Sequence, residues 1–208
     1  MVKLAFIIDC DRCIGCKGCQ VACKMENELP LGHDRLKVCT VGPHGRFPKL
    51  QMYFLPAMCQ MCGEPACAGA CPNGACSKDE NDGIVKIDKS LCVGCGKCER
   101  KCPYGCVKID REVGKADKCD GCIAALKKGE KPACVRNCSG SAIKFGDIND
   151  PQSEVSLLLA SVEPSMVYSL RDEGNSPAVK YILRRDEWKD ILPSECIEHV
   201  AWKRGGKA

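Results

Sequence analysis

Cysteine spacing constrains this chain more than any other feature of its sequence. Of 21 cysteines among 208 residues, most fall into four groups, each with three leading cysteines and a fourth that follows the third after three residues. The groups are Cys13-x2-Cys16-x2-Cys19-x3-Cys23 (group I), Cys59-x2-Cys62-x4-Cys67-x3-Cys71 (group II), Cys92-x2-Cys95-x2-Cys98-x3-Cys102 (group III) and Cys119-x2-Cys122-x11-Cys134-x3-Cys138 (group IV). This self-similarity is an internal repeat, so the four groups are expected to serve the same purpose.

Two common uses of clustered cysteines do not fit this pattern. Disulfide frameworks belong to exported proteins, but the apolar run LAFII near the amino terminus is too short for a secretory signal, and two-residue gaps leave no room for long-range bridges. Structural zinc needs two close pairs of ligands that converge on one ion, whereas each group offers a triplet and a distant fourth cysteine. The three histidines, His33, His44 and His199, stand at no ligand spacing.

The spacing of group III, C-x2-C-x2-C-x3-C-P, is typical of cysteines that hold a [4Fe–4S] cluster. Three cysteines at this spacing wrap the backbone around one cube, and the glycines in CIGCKGC and CVGCGKC let the chain pass close to inorganic sulfide. The fourth cysteine points away, and in two-cluster folds it binds the neighbouring cluster. Pro72 and Pro103 follow the fourth cysteine of groups II and III and suit a first helical turn.

If the fourth cysteine of each group binds the cluster of another group, the four groups must form pairs. Groups II and III are adjacent in the chain and flank one predicted strand, so they are expected to form one two-cluster unit, which leaves groups I and IV as the other. The predicted ligand sets are Cys13, Cys16, Cys19 with Cys138; Cys119, Cys122, Cys134 with Cys23; Cys59, Cys62, Cys67 with Cys102; and Cys92, Cys95, Cys98 with Cys71. The remaining cysteines are interpreted as small buried side chains or tolerated thiols: Cys10, Cys39, Cys76, Cys106 and Cys196.

The predicted fold class is α+β, built from two intertwined bacterial-ferredoxin-like two-cluster units, rich in loops, with a C-terminal extension. Each three-residue gap should start a short helix, and strands are predicted at residues 84–88, 107–110, 141–150 and 177–185. A helix with Ser153 as its cap is expected over residues 153–161. Residues 34–58, which contain several glycines and prolines, indicate an irregular connection with one strand near residues 51–55.

The chain is predicted to divide into three domains. Residues 1–57 with 104–150 form the outer unit of groups I and IV, and residues 58–103 form the inserted unit of groups II and III. Residues 151–208 form the extension, whose end is either a segment lying on the body or a docking arm for a partner subunit.

The formal net charge of +4 changes once clusters are counted. Four oxidised clusters with their thiolates add about −8, so the loaded protein would carry about −4. Cations near the motifs could offset cluster charge and raise reduction potentials; they are Lys17, Lys97, Arg100, Lys101 and Lys118. Nucleic-acid binding, which needs a basic face, is not expected. No run of about 18 apolar residues exists, so no transmembrane segment is expected.

The four groups, the long gap in group IV and the segment GKADKCDGC…KPACVRNCSGSAIKFGDIND resemble the iron–sulfur (beta) electron-transfer subunit of the molybdopterin oxidoreductases, the dimethyl-sulfoxide reductase family. The resemblance covers about residues 3–185 and implies four [4Fe–4S] clusters in a line, held by the ligand sets given above. Many relatives have histidine where this chain has Met61, and Ser139 replaces a proline after group IV. Neither departure removes a ligand.

The resemblance implies an electron-transfer subunit with no catalytic residues of its own. It would relay electrons between a large catalytic subunit, which carries a bis-pterin molybdenum or tungsten centre, and a membrane anchor subunit or soluble electron carrier. Groups I and IV would face the catalytic subunit. The alternatives are a free-standing polyferredoxin electron carrier and a zinc-bound structural or nucleic-acid module. A cytoplasmic location is expected because no export signal is present, unless a partner with a twin-arginine signal exports the folded complex.

Overall fold

Short helices and short strands alternate with long loops along this chain. The computed structural model describes residues 2–185 and the backbone of residues 202–204. The helices are α1 (Gly18–Glu26), α2 (Ala66–Gly69), α3 (Lys97–Lys101), α4 (Ile123–Leu126), α5 (Ala133–Arg136) and α6 (Glu154–Ala160). The strands are β1 (Leu4–Asp9), β2 (Leu36–Arg46), β3 (Lys49–Met58), β4 (Cys76–Lys78), β5 (Val85–Ile87), β6 (Lys108–Asp110), β7 (Lys115–Asp117), β8 (Ile143–Asp147), β9 (Val167–Leu170), β10 (Lys180–Ile182) and β11 (Trp202–Arg204). This mixture confirms the coarse prediction of an α+β chain rich in loops.

One sheet joins the amino terminus to the C-terminal third of the described chain. Its strand order is β11-β9-β10-β1-β8, with β1 antiparallel to β8 and parallel to β10. In β1, Phe6 and Ile8 belong to the large core that also holds cysteines of all four groups. Ile7 points to the other face and packs with Val155 of α6 in a smaller core. Because both faces are covered, the strand reads as a continuous apolar run.

Residues 34–58 form a long β-hairpin, so the prediction of an irregular connection with a single strand was wrong. Strands β2 and β3 pair antiparallel from Leu36 opposite Met58 to Arg46 opposite Lys49, with an irregularity between Val41 and His44. The prolines misled the prediction. Proline lacks an N–H donor and is excluded from central strands, but each strand of a two-stranded ribbon has a free edge where it is tolerated.

A short helix begins one residue before the third cysteine of every group. Helices α1, α2, α3 and α5 start at Gly18, Ala66, Lys97 and Ala133, just ahead of Cys19, Cys67, Cys98 and Cys134. The prediction of a helix at each three-residue gap is therefore confirmed. The fourth cysteine lies within α1 in group I and just after the end of the helix in the other three groups, so each helix separates the fourth cysteine from its triplet.

The predicted strands after groups II, III and IV are present as β5, β6 and β8, and β10 lies within the predicted strand at residues 177–185. The hydroxyl of Ser153 caps α6 as predicted, because it accepts a hydrogen bond from the Ser156 N–H at 3.2 Å. Strands β1, β2, β4, β7, β9 and β11 were not predicted.

The segment that follows residue 150 is part of the body as far as it is described. Strands β9 and β10 lie within the main sheet, and the backbone of β11 pairs with β9. The predicted docking role of the chain's end otherwise falls on residues outside the described range. Among the described helices none has the length and apolar character needed to cross a bilayer.

Candidate iron–sulfur sites

The first predicted ligand set surrounds one cavity. Its four cysteines, here named site 1, all line this cavity: Cys13, Cys16, Cys19 and Cys138. Helix α1 carries Cys19, whereas Cys138 lies in the loop after α5, so groups I and IV meet here although they are far apart in the chain.

A second cavity has the same arrangement. The four cysteines that line it are here named site 4: Cys71, Cys92, Cys95 and Cys98. The two cavities are alike in size. The middle cysteine of each triplet is exposed, Cys16 at site 1 and Cys95 at site 4. Matching cavities with matching cysteines favour the same occupant.

The other two predicted sets are more enclosed. Site 2 consists of Cys23, Cys119, Cys122 and Cys134, all of which are buried. Burial raises the pKa of Cys134, and the thiols of the other three members, which lie close to it, raise it further. Site 3 consists of Cys59, Cys62, Cys67 and Cys102. Burial raises the pKa of Cys62 to about 12, and the other three thiols of its set again contribute.

The pKa shifts of three cysteines indicate which of the four sites are neighbours. Between each two neighbouring sites there is one buried cysteine whose pKa is raised mainly by burial. A thiol of the neighbouring site raises the same pKa further. The pairs are Cys134 with Cys19 (site 2 with site 1), Cys119 with Cys59 (site 2 with site 3) and Cys98 with Cys67 (site 4 with site 3). The order is therefore 1, 2, 3, 4, with the exposed cysteines at the two ends.

The backbone before the second cysteine of every triplet adopts the same uncommon conformation. The residues at this position are Gly15, Met61, Gly94 and Gly121, and all four have positive φ angles, of 68°, 46°, 68° and 71°. At Gly94 a Cβ atom would also lie 2.0 Å from the carbonyl oxygen of Gly114, so only glycine fits. Group II reaches the same turn with a non-glycine residue, Met61, which indicates that its triplet wraps in the same way as the others.

Amide N–H groups point at the sulfur atoms, as a negatively charged cluster requires. Main-chain N–H groups of Cys76, Cys106, Ala142 and Ala116 donate to Sγ of Cys71, Cys102, Cys138 and Cys92 at 3.3, 3.3, 3.1 and 3.3 Å. The fourth cysteines of groups II, III and IV thus accept bonds from the chain four or five residues later. Hydrogen bonds to the sulfurs are among the features that set the reduction potentials of such clusters.

Two asparagines near the sulfurs were missed by sequence reasoning. The Asn27 side chain donates to Cys23 Sγ at 3.6 Å, which gives the fourth cysteine of group I the bond that a main-chain amide gives the others. Buried Asn175 donates through Nδ2 to Cys62 Sγ at 3.0 Å. Asn27 lies one helical turn after Cys23, so its contact could have been predicted from the sequence. Asn175 lies in a loop far from Cys62 in the chain, so its contact could not.

The thiol pKa values vary across the sites because burial and hydrogen bonding oppose each other. Burial is the main cause that raises the pKa of Cys19 to about 12 and that of Cys23 to about 11. A hydrogen bond from the Cys106 thiol instead lowers the pKa of Cys102 to about 6, despite its burial. Since iron binds thiolate, loading the sites with high pKa values must displace protons.

A buried ion-pair network supports site 2. Asp117 at the end of β7 accepts bonds from Arg35 Nε at 2.7 Å and Nη2 at 2.8 Å, from Lys89 Nζ at 2.8 Å and from His33 Nε2 at 3.1 Å. Burial alone would raise the pKa of Asp117, but Arg35 and Lys89 lower it, and the net shift is downward. Arg35 also donates to Asn27 Oδ1 at 2.7 Å, which links this network to the ligand Cys23.

One cation near the motifs is buried. Lys118 is 3% exposed and donates to the main-chain carbonyls of Val85 and Cys119, whereas Lys17, Lys97, Arg100 and Lys101 are exposed. Burial lowers the pKa of Lys118, but the Cys59 and Cys119 thiols raise it, and the net shift is upward. A buried ammonium group beside several thiols can balance the negative charge of clusters bound there.

The ligand geometry also bears on zinc. Within residues 2–185, no three His, Cys, Asp or Glu side chains come close enough together to hold a single metal ion. A cube with iron at four corners needs sulfurs spread further apart than a mononuclear zinc ion does. The cysteine sets, their N–H donors and the buried cation therefore fit [4Fe–4S] clusters.

The five cysteines outside the groups differ from one another. Cys76 and Cys106 supply N–H groups to ligand sulfurs, and Cys10 is a buried thiol in the core. Cys39 in β2 is disulfide-bonded, which corrects its interpretation as a tolerated thiol. Cys196 lies outside the described residues.

Replacing Cys10 with serine should leave all four clusters in place. Cys10 is 1% exposed at the end of β1, and its position three residues before Cys13 makes it the nearest rival for the first ligand of group I. If the chain holds four clusters, we expect the Cys10→Ser variant and the parent to bind the same amount of iron, about 16 atoms per chain. Iron analysis of the purified variant checks this, and a loss of about four iron atoms would show that the register of group I is wrong.

Comparisons with known proteins find one matching family and several relatives. Residues 50–148 match a family described as a 4Fe-4S dicluster domain. Protein NrfC of Escherichia coli is 39% identical over 170 residues, which cover 81% of this chain and 76% of that protein. A tetrathionate reductase subunit of Salmonella typhimurium is 38% identical over 182 residues (86% and 72%). The thiosulfate reductase electron transfer subunit PhsB of Salmonella typhi is 38% identical over 177 residues (84% and 88%).

Proposed function

Because the chain belongs to the iron–sulfur electron-transfer subunits of the molybdopterin oxidoreductase family, we propose that it holds four [4Fe–4S] clusters and relays electrons to or from a catalytic subunit with a molybdenum or tungsten bis-pterin centre. The ligands are the four sets of sites 1 to 4. Sites 1 and 2 belong to one ferredoxin-like unit and sites 3 and 4 to the other, and the two units are intertwined in the chain.

The observation that carries this proposal is the line of sites with an exposed cysteine at each end. Sites 2 and 3 are enclosed, so an electron reaches them from a neighbouring site rather than from solution. Sites 1 and 4 expose Cys16 and Cys95 to the surface. Such an arrangement suits a protein that accepts electrons at one end site and donates them at the other. A protein that only stored electrons would need a single exposed site.

Apolar side chains surround both ends of the line. Ile14, which lines the site 1 cavity, is 62% exposed, and Leu91 and Val93, which line the site 4 cavity, are 50% and 65% exposed. Apolar side chains grouped beside a functional site favour a docked partner at each end. We assign site 1 to the catalytic subunit, and site 4 to a membrane anchor subunit or a soluble electron carrier.

The clusters supply the redox chemistry, and the protein's residues bind, space and tune them. The cysteines fix the order of the sites. The N–H donors, including Asn175 at site 3, favour the reduced and more negative state by hydrogen bonding to sulfur. No side chain needs to make or break a bond. The complex is proposed to reside in the cytoplasm, unless its partner carries a twin-arginine signal that exports the folded assembly.

Purification from the native host tests this function. We expect the chain to elute from size exclusion with a larger subunit that contains molybdenum or tungsten and pterin. The brown complex should contain about 16 iron atoms per copy of this chain, beyond those of the partner. Elution as a lone 22.6 kDa brown protein would contradict the subunit assignment and favour a free-standing polyferredoxin. A colourless zinc protein without acid-labile sulfide would contradict both.

A further inference from the structure

Lys118 is a buried cation without a carboxylate partner. Among the described residues it is the one lysine or arginine that is buried, and its ammonium group donates to two main-chain carbonyls, those of Val85 and Cys119. The ion pairs formed by residues 2–185 do not include it. Lysine is almost never fully buried unless something balances its charge.

The adjacent carboxylate does not balance this charge. Asp117 is next to Lys118 in the chain and is also buried, but its oxygens accept bonds from Arg35, Lys89 and His33. Lys118 therefore points away from that network and into the body. The counter-charge of Lys118 must come from another source.

Thiols of two different sites act on the ammonium group. Burial lowers the pKa of Lys118, but the thiols of Cys59 and Cys67 of site 3, Cys119 of site 2 and the non-ligand Cys76 raise it. The two carbonyls that it contacts also come from both units, since Val85 lies on β5 between groups II and III and Cys119 opens group IV. Lys118 thus occupies the junction at which the outer and the inserted units meet.

We propose that Lys118 is a potential-setting residue shared by the two central clusters, whose fixed positive charge favours their reduced states and keeps both in the range where electrons cross from one unit to the other. This inference rests on the proposed function. A reduced cluster carries one more negative charge than an oxidised one, so a nearby cation stabilises the reduced state. One electron leaves one site and enters the next, and no proton or bond changes.

The end clusters provide an internal control. The thiols that most raise the pKa of Lys118 are those of Cys59, Cys119, Cys67 and Cys76, and the three ligands among them belong to sites 2 and 3. Removal of its charge should therefore lower two of the four reduction potentials and spare the other two. Loss of a lysine with only a structural role would not lower two reduction potentials and leave the other two unchanged.

The test is a redox titration of the loaded complex, followed by electron paramagnetic resonance. We expect Lys118→Met to reduce the equilibrium constant for reduction at sites 2 and 3 at least about tenfold each, which is about 59 mV for a one-electron couple. Lys118→Gln, which keeps a donor for a carbonyl but not the charge, should give the same shift. Lys118→Arg should restore the parent potentials. Lys97→Met, which removes an exposed charge beside the ligand Cys98, is the matched control and should shift little because solvent screens it.

Several results would overturn the proposal. Full iron content with all four potentials unchanged in Lys118→Met would show that the charge does not set them, and a shift spread equally over four clusters would remove the assignment to sites 2 and 3. Loss of iron from both neutral variants would make Lys118 a structural residue instead. Failure of the proposed function is distinguishable, because the parent complex itself would then lack four redox couples.

Discussion

Electron transfer through the complex should stop when site 2 cannot be assembled. The double variant Cys119→Ala with Cys134→Ala removes two buried ligands of the site that links site 1 to site 3. We expect about 12 iron atoms per chain instead of about 16. Because sites 1 and 3 are then no longer connected, turnover with a donor that enters at site 4 should fall at least about 100-fold, the upper end of what loss of an outer-shell partner costs at metal sites.

Two controls separate a broken relay from a damaged complex. Turnover with a small reductant that reaches the catalytic subunit directly should persist in the double variant, whereas Cys10→Ser should retain both activities. If the double variant loses site 2 but still passes electrons from site 4 to the catalytic subunit, the linear order of sites is wrong.

Replacing Asp117 with asparagine should produce the largest loss of stability among substitutions outside the ligands. The change removes the charge that Arg35, Lys89 and His33 share, and leaves Arg35 with Asp120 as its remaining anionic partner, at 3.3 Å. Removal of one member of a buried pair costs about 3–5 kcal/mol. Since the same arginine holds Asn27 next to Cys23, loss of iron on heating should start at site 2.

Thermal bleaching of the clusters, compared between variants at one scan rate, measures this effect. Asp79→Asn is the matched control, because Asp79 pairs with Lys86 at 2.7 Å but both side chains are partly exposed. Ion pairs exposed to solvent contribute little to stability, so this variant should bleach close to the parent. Equal behaviour of Asp117→Asn and Asp79→Asn would mean that the buried network does not support the site.

The spacing of the cysteines is the feature from which the four ligand sets are predicted. The reason is local, since two-residue gaps and one helical turn leave a triplet few ways to arrange its sulfurs. The exchange of fourth cysteines added the long-range part, which places Cys138 beside Cys13 and Cys23 beside Cys134. At sites 1 and 4 the four predicted cysteines line one cavity, and the complete ligand sets stay a prediction.

Features that depend on remote contacts were beyond the sequence. Strand β1 pairs with β8 and β10, which come from the far side of the chain, and no local pattern indicates that choice. The hairpin of β2 and β3 was hidden by prolines whose cost depends on whether a strand has a free edge. Lys118 was one of several cations near the motifs, and only its burial separates it from Lys97 or Lys101.

The most direct test of the account counts iron in two double variants. Cys23→Ala with Cys119→Ala changes one cysteine in group I and one in group IV, yet both belong to site 2, so this variant should lose one cluster and keep about 12 iron atoms. Cys13→Ala with Cys23→Ala changes two cysteines of group I that belong to sites 1 and 2, so it should lose two clusters and keep about 8. The reverse result, about 8 in the first variant and about 12 in the second, would mean that each group holds its own cluster and would contradict the exchange of ligands on which the line of sites depends.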